Sequence, residues 1–189
     1  MTTITVGEAD CDPVIRKALA IGADDAVRID ANPTDALQVA SLIANHASDG
    51  GYDLVLCGKE TIDHNGSVVG GMLAELMNAS FVSLATSLEV EGGVVKATRE
   101  AGGGLESVEA SLPAVVSAAK GMAEQRIPNM RGIMAARTKP LSVVPASGAV
   151  TGTSIERFAL PAEKAGVKLV DAEDPAELVR LLREEAKVI

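Results

Sequence analysis

The chain has 189 residues, 47% of them hydrophobic, with 26 acidic against 17 basic side chains and a formal charge of −9. That length and apolar content bury the core of one domain plus an appendage, and the charge repels a nucleic-acid backbone or an anionic membrane surface, so neither is an expected partner. One tyrosine, two phenylalanines and no tryptophan leave few rings on which a base or an isoalloxazine could stack.

Ile4 and Val6 alternate toward Gly7 and predict a first strand. Asp12-Pro13 reads as an N-cap with a first-turn proline. Val14, Ile15, Ala18, Leu19 and Ile21 then share a helical face that Gly22 ends. A short buried strand is predicted over 26–29. Asn32-Pro33 opens a second helix, with Leu37, Ala40, Ile43, Ala44 and Ala47 facing the sheet until Gly50-Gly51. Residues 54–57 form a third strand, and a helix starting near Ser67 carries Val69, Met72, Leu73 and Leu76 at i, i+3, i+4 and i+7. From Phe81 the period becomes two, with Leu88, Val90, a Gly92-Gly93 turn, Val95, Ala97 and Arg99, then Val108, Ala110 and Leu112. This is an antiparallel excursion, after which 114–118 returns to the main sheet. Residues 125–132 read as neither a regular helix nor a central strand. An extended arm over 142–165 is punctuated by Pro145, Gly148, Gly152 and Pro161. Asp174-Pro175 caps a last helix with Leu178, Leu181 and Leu182 on one side. The expected domains are therefore 1–141, an α/β nucleotide-binding unit, and 142–189, an arm and helix that dock on a partner because their apolar side chains are otherwise wet.

The strand at 54–57, the turn-rich loop 58–66 and the helix from Ser67 form the arrangement in which an open α/β sheet receives the phosphate end of a nucleotide. Gly58, Lys59 and Asp63 lie in the loop. Ser67, Val68 and Val69 stand at the helix head, where backbone N–H groups lack intrahelical partners. Asp63 fits equally as the cap of that helix. His64 adjoins Asp63, and neighbours in sequence seldom face each other, so no acid–base pair is expected. Cys57 reads as a small core residue, and the acidic neighbours Asp10 and Asp12 raise the Cys11 thiol pKa. The two cysteines lack CxxC spacing, no His, Cys or carboxylate cluster has metal-ligand spacing, and no secretory signal is present, which points to a reduced, cytoplasmic protein. Arg99 and Glu100 are adjacent in a strand and point to opposite faces, so one of them can reach a partner. Arg126, Arg131, Arg137 and Lys139 are the basic concentration of an acidic chain, placed to steer an acidic partner or to pack on one.

Four ordered segments resemble the β subunit of electron transfer flavoprotein. They are Gly58-Lys59-Glu60-Thr61-Ile62-Asp63, Arg99-Glu100-Ala101-Gly102-Gly103-Gly104-Leu105-Glu106, Met130-Arg131-Gly132-Ile133-Met134 with Arg137 and Lys139, and Leu19-Ala20-Ile21-Gly22-Ala23-Asp24. The resemblance implies an open, mostly parallel sheet of the Rossmann-like, adenine nucleotide α-hydrolase-like class, with an antiparallel excursion and a C-terminal arm plus helix. It also implies an electron carrier subunit rather than an enzyme. FAD is held mainly by the α subunit and AMP sits in this chain, with Val6 and Gly7 joining Gly58, Lys59, Asp63, Ser67, Val68 and Val69 as cofactor-binding residues. Electrons pass from acyl-CoA or related dehydrogenases to a quinone-linked oxidoreductase. Met130 is implied as the apolar tip that enters a pocket on the dehydrogenase, a role suited to a flexible thioether, with Arg126 and Glu100 as further recognition residues. The family's subunit opens with an additional strand, loop and helix ahead of the match to Met1, and Gly102 replaces an Asp. Two alternatives stay open: a flavin-bifurcating variant with a second FAD in this chain, and an adenine-nucleotide hydrolase or ligase of related fold.

Overall fold

The computed structural model describes residues 1–164 and 166–189. Two compact units divide at Ile155/Glu156. The first unit is a mixed α/β fold of the Rossmann-like kind, with strands β1 (Thr2–Val6), β2 (Asp25–Asp30), β3 (Leu54–Gly58), β4 (Ser80–Glu91), β5 (Val94–Ala101), β6 (Gly104–Ser111), β7 (Ala114–Ala118) and β8 (Leu141–Pro145). Its helices are α1 (Asp12–Ile21), α2 (Ala36–Gly50), α3 (Val69–Leu76) and α4 (Met130–Ala136).

Hydrogen bonding distributes the strands over two sheets. One is all parallel, in the order β1-β2-β8, and the other runs β3-β7-β4-β5-β6. In the second sheet β7 is parallel to both β3 and β4, while β4, β5 and β6 form the expected antiparallel meander. β1 and β3 each keep one edge without a strand partner among the described residues.

Helix α2 serves both sheets. Its Leu42 packs with Val27 and Ile29 of β2, and its Ala40 and Ala44 pack with Leu73 and Ala74 of α3 and Val115 of β7. The opposite face of β2 is covered by α1, where Ile15, Leu19 and Ala23 meet Ala26 and Ala136 of α4. On β7, Ala114 and Val116 face the curled meander through Val82, Val95 and Ala97. This is the alternation that a strand buried on both sides requires. The buried Ser117 hydroxyl accepts from the Leu84 amide at 3.0 Å. Leu84 has φ 57° at an irregularity in β4, so the serine satisfies a donor that the interrupted ladder leaves unpaired.

Several boundaries differ from the sequence reading. Asp12 does not cap α1: it is the first residue, the cap position belongs to Cys11, and the Asp12 carboxylate instead lies 2.9 Å from the buried Arg28 guanidinium. α2 begins at Ala36 rather than at Asn32-Pro33, because Asp35 Oδ1 accepts from the Gln38 amide at 2.7 Å and sets the first turn there. Residues 130–132, read as irregular, begin α4, whose start is fixed by Asn129 Oδ1 accepting from the Gly132 amide at 2.8 Å. The arm read from 142 starts as a strand, since β8 pairs with β2. The stretch after it is tied to α2: Asn45 donates to the Ser147 and Gly148 carbonyls, and Asp35 Oδ2 accepts from the Gly152 and Thr153 amides at 2.7 and 2.6 Å.

The second unit, Glu156–Ile189, holds helix α5 (Pro175–Arg180), continued by a π-helical turn, Leu181–Glu185. Asp174 caps α5 by accepting from the Glu177 amide, as its sequence indicates. Arg180 pairs with Glu177 and Glu184, and Lys168 pairs with Glu185. Phe158, Leu160, Val167 and Leu169 are exposed in this unit. No helix among the described residues is long and apolar enough to cross a membrane.

Candidate functional site

The segment from β3 to α3 is shaped by its own loop contacts. Asn65 and Ser67 both occupy the left-handed region, with φ 48° and 53°, a conformation that costs a non-glycine residue about 1–2 kcal/mol and gathers at ligand-binding loops. The turn is closed by the Asn65 amide donating to the Thr61 carbonyl at 2.8 Å. The Ser67 hydroxyl donates to Glu60 Oε2 at 2.8 Å, and Lys59 Nζ lies 3.2 Å from Glu60 Oε1. The Ser67 hydrogen bond first, then Lys59, hold the Glu60 carboxyl below its ordinary value.

Helix α3 starts at Val69, with Val68 at its cap position and no side chain bonded there. Neither Asp63 nor Ser67 is therefore the cap. Asp63 lies in the turn over 62–64, exposed, and Ser67 spends its hydroxyl on Glu60. The first-turn amides of α3 are left without a side-chain acceptor, which makes that helix end complementary to negative charge. A Cβ placed on Gly58 would meet no protein atom within 4 Å, so there is space beside the end of β3. At Gly70 a Cβ would lie 3.1 Å from the Phe81 ring. The glycine lets α3 settle on that ring, and Phe81 keeps 42% of its surface exposed.

Val6 and Gly7 lie at the carboxyl end of β1, in the other sheet, and no hydrogen bond or ion pair among the described residues joins them to the 58–69 loop. Their position is fixed from below. Arg28, 5% exposed, donates to the Gly7 carbonyl at 2.9 Å and pairs with Asp12 and Asp30. The sequence reading missed Arg28, whose signal was a charged residue inside the apolar run of β2. Burial raises the Cys11 thiol pKa first and Asp10 second, with Asp12 a lesser contributor; burial alone raises that of Cys57.

The remaining sequence candidates lie apart from the loop. Glu100 is exposed near the end of β5, and its neighbour Arg99 turns the other way, bonding Ser83 Oγ at 2.7 Å and Glu106 at 2.9 Å. Met130 is the first residue of α4 and is 74% exposed, with Ile127 and Met134 also exposed. Arg126 is exposed and its guanidinium lies beside Gly22 at the end of α1. Lys139 is not free to steer a partner: its ammonium donates to the Leu19 carbonyl at 2.9 Å and to that of Ala23.

A family model described as the electron transfer flavoprotein domain matches residues 1–149. The chain belongs to this family. It is 35% identical over 203 residues to the electron transfer flavoprotein subunit beta of Bacillus subtilis (strain 168), with 100% of this chain and 79% of the relative covered. It is 35% identical over 195 residues to the protein of the same name from Homo sapiens, covering 98% and 75%. With that from Syntrophomonas wolfei the identity is 34% over 173 residues, covering 90% and 69%. Family membership gives the chain an electron-transfer role. The family match spans the end of α1, the β3–α3 loop, the β5–β6 hairpin and α4, the four places where the sequence motifs lie.

Proposed function

We propose that the chain is the β subunit of a heterodimeric electron transfer flavoprotein, seating AMP at the β3–α3 loop and presenting Met130 to a dehydrogenase. The observation that carries the nucleotide assignment is the left-handed Asn65–Ser67 turn leading into an uncapped α3. The residues present fit an adenylate phosphate: first-turn amides of α3 and the Lys59 ammonium supply donors, and the space beside Gly58 admits the group. Glu60 stays ionised, with its charge offset by Lys59 and its second oxygen bonded by the Ser67 hydroxyl.

FAD supplies the electron-accepting and electron-donating chemistry when it is bound. The chain's own contribution is to brace the flavin-bearing α subunit, through Glu100 on the β5–β6 hairpin and the second unit, whose exposed Phe158, Leu160, Val167 and Leu169 require a cover. One tyrosine, two phenylalanines and no tryptophan offer few rings to hold an isoalloxazine, which supports a flavin held mostly by the partner subunit. The donor is an acyl-CoA or related dehydrogenase and the acceptor a quinone-linked oxidoreductase. The exposed thioether of Met130 docks in an apolar pocket, with its chain neighbour Arg131 and the exposed Arg126 near the end of α1 to attract a carboxylate rim.

The test is reconstitution with the flavin-bearing subunit, followed by stopped-flow reduction by an acyl-CoA dehydrogenase and reoxidation by a quinone-linked oxidoreductase. Flavin bleaching and recovery are expected. A complex that takes no electrons from any acyl-CoA dehydrogenase would remove the donor assignment, and ATP turnover by the chain itself would favour a hydrolase or ligase.

A further inference from the structure

Helix α4 has seven residues and a glycine in its first turn, far short of the length at which a helix stands alone in water. Its order has to come from what it touches. Four fixings are visible. Asn129 caps its start. Ala136, 3% exposed, is its buried foot among Ile15, Leu19 and Ala23. Gly132 lies so close to α1 that a Cβ there would be 2.3 Å from the Ala20 carbonyl oxygen.

The fourth is a reciprocal exchange of caps. Arg16 of α1 sends one guanidinium nitrogen to the Ala136 carbonyl at 2.8 Å and to that of Lys139 at 2.7 Å, closing the end of α4. Lys139, just beyond α4, sends its ammonium back to the Leu19 carbonyl at 2.9 Å and to that of Ala23, closing the end of α1. Each helix thus provides the cation that satisfies the other's terminal carbonyls and opposes its negative dipole end. Met130 stands at the opposite end of α4, so the place from which its side chain projects is set by where α4 lies.

We propose that Arg16 and Lys139 are positioning residues for partner recognition: their crossed caps lock α4 on α1 and so hold the backbone of Met130, from which the thioether projects, in one place. The inference rests on the docking reading of Met130. A pre-oriented anchor enters its pocket without first paying for the ordering of its helix, so the clamp acts on the strength and speed of docking and not on the electron-transfer step once docked.

The experiment uses the full chain, alone and reconstituted with its flavin-bearing subunit, with Lys139→Met, Arg16→Met, Met130→Ala, Lys139→Met combined with Met130→Ala, and Lys139→Arg. Hydrogen exchange on the full chain reads the clamp directly. Arg16→Met speeds exchange of the 133–137 amides by about fivefold to tenfold, the effect of one lost cap, and Lys139→Met does the same at the end of α1, while β2 and β7 amides stay protected and show the fold intact. In the complex, Lys139→Met and Arg16→Met raise the KM for the reduced acyl-CoA dehydrogenase by about threefold or more with kcat retained, and Lys139→Arg restores it. In the Met130→Ala background, Lys139→Met adds less than in the parent, because the orientation it controls no longer matters. Faster exchange in α4 with an unchanged KM, or a KM effect that simply adds to that of Met130→Ala, overturns the proposal and leaves the docking reading standing. Unaltered transfer by Met130→Ala alone defeats the docking reading and this inference with it.

Discussion

Gly132→Ala separates two opposite expectations for one methyl group. Helix propensity alone favours the alanine by about 1 kcal/mol. The structure predicts the reverse sign. Gly132 is the third residue of α4, and its added Cβ would lie 2.3 Å from the Ala20 carbonyl oxygen and 3.3 Å from the Ala20 carbonyl carbon. The obstacle is backbone inside α1, so no side chain can rotate away. Relief needs roughly 1 Å of separation between the helices, which lifts Ala136 from its seat against Ile15 and Leu19 and stretches the Arg16 bonds. Overpacking of this kind costs about 1–3 kcal/mol. After the propensity gain the net loss reaches up to about 2 kcal/mol, read as a lower denaturation midpoint at unchanged slope in urea. The dehydrogenase reaction should slow more than stability alone accounts for, because α4 also carries Met130. A variant more stable than the parent by about 1 kcal/mol would refute the close approach of α4 to α1 and the reasoning built on it.

Further outcomes follow from the same geometry. Met130→Ala removes an exposed anchor, so the midpoint of unfolding stays put while docking weakens by about 2 kcal/mol, close to a thirtyfold rise in dissociation constant; surface plasmon resonance against the dehydrogenase reads it. Asp35 accepts from the Gln38, Thr153 and Gly152 amides, which in that order lower its pKa. A lowered folded value means the anchoring is present above the ordinary aspartate range and is lost as pH falls through the depressed value. Limited proteolysis over 146–155 should therefore stay slow at neutral pH and accelerate in acid, while Asp35→Asn should be cut quickly at both. Protection of the parent that is independent of pH would contradict this. Ser67→Gly relaxes a left-handed position and should retain nucleotide, whereas Ser67→Val places a β-branched residue at φ 53° and should lose it. Equal nucleotide content in the two variants, measured by chromatography of the extracted ligand, would show that the turn is not what holds it.

The helical stripes and the period-two meander were legible in sequence because burial repeats at the spacing of the element. Leu73 and Ala40 sit where periodicity puts them, and Val95 and Ala97 alternate as a strand must. The start of α2 was misplaced although its signal was present: Asp35 and Gln38 stand at capping-box spacing ahead of the apolar run, and the Asn-Pro pair drew attention away from it. The start of α4 was missed for a different reason. A seven-residue helix with a glycine inside has no local preference strong enough to read, and it exists through Arg16 and Lys139, whose bonds span 116 to 123 residues. Lys139 was legible as charge and illegible as a cap for the same reason. The division of the parallel strands between two sheets was likewise hidden, because β1 and β3 look alike in sequence whether or not a neighbour pairs with both of their edges.

An adenylate held at the β3–α3 turn of a subunit that works beside a flavin is the central assignment. Its most direct measurement is the ligand inventory of the complex formed by this chain and the flavin-bearing subunit: absorbance for flavin, and chromatography of the acid extract for adenine nucleotides. One flavin and one AMP per heterodimer is the predicted result. A colourless complex with no adenine nucleotide would contradict it, and two flavins without AMP would assign the turn to FAD instead.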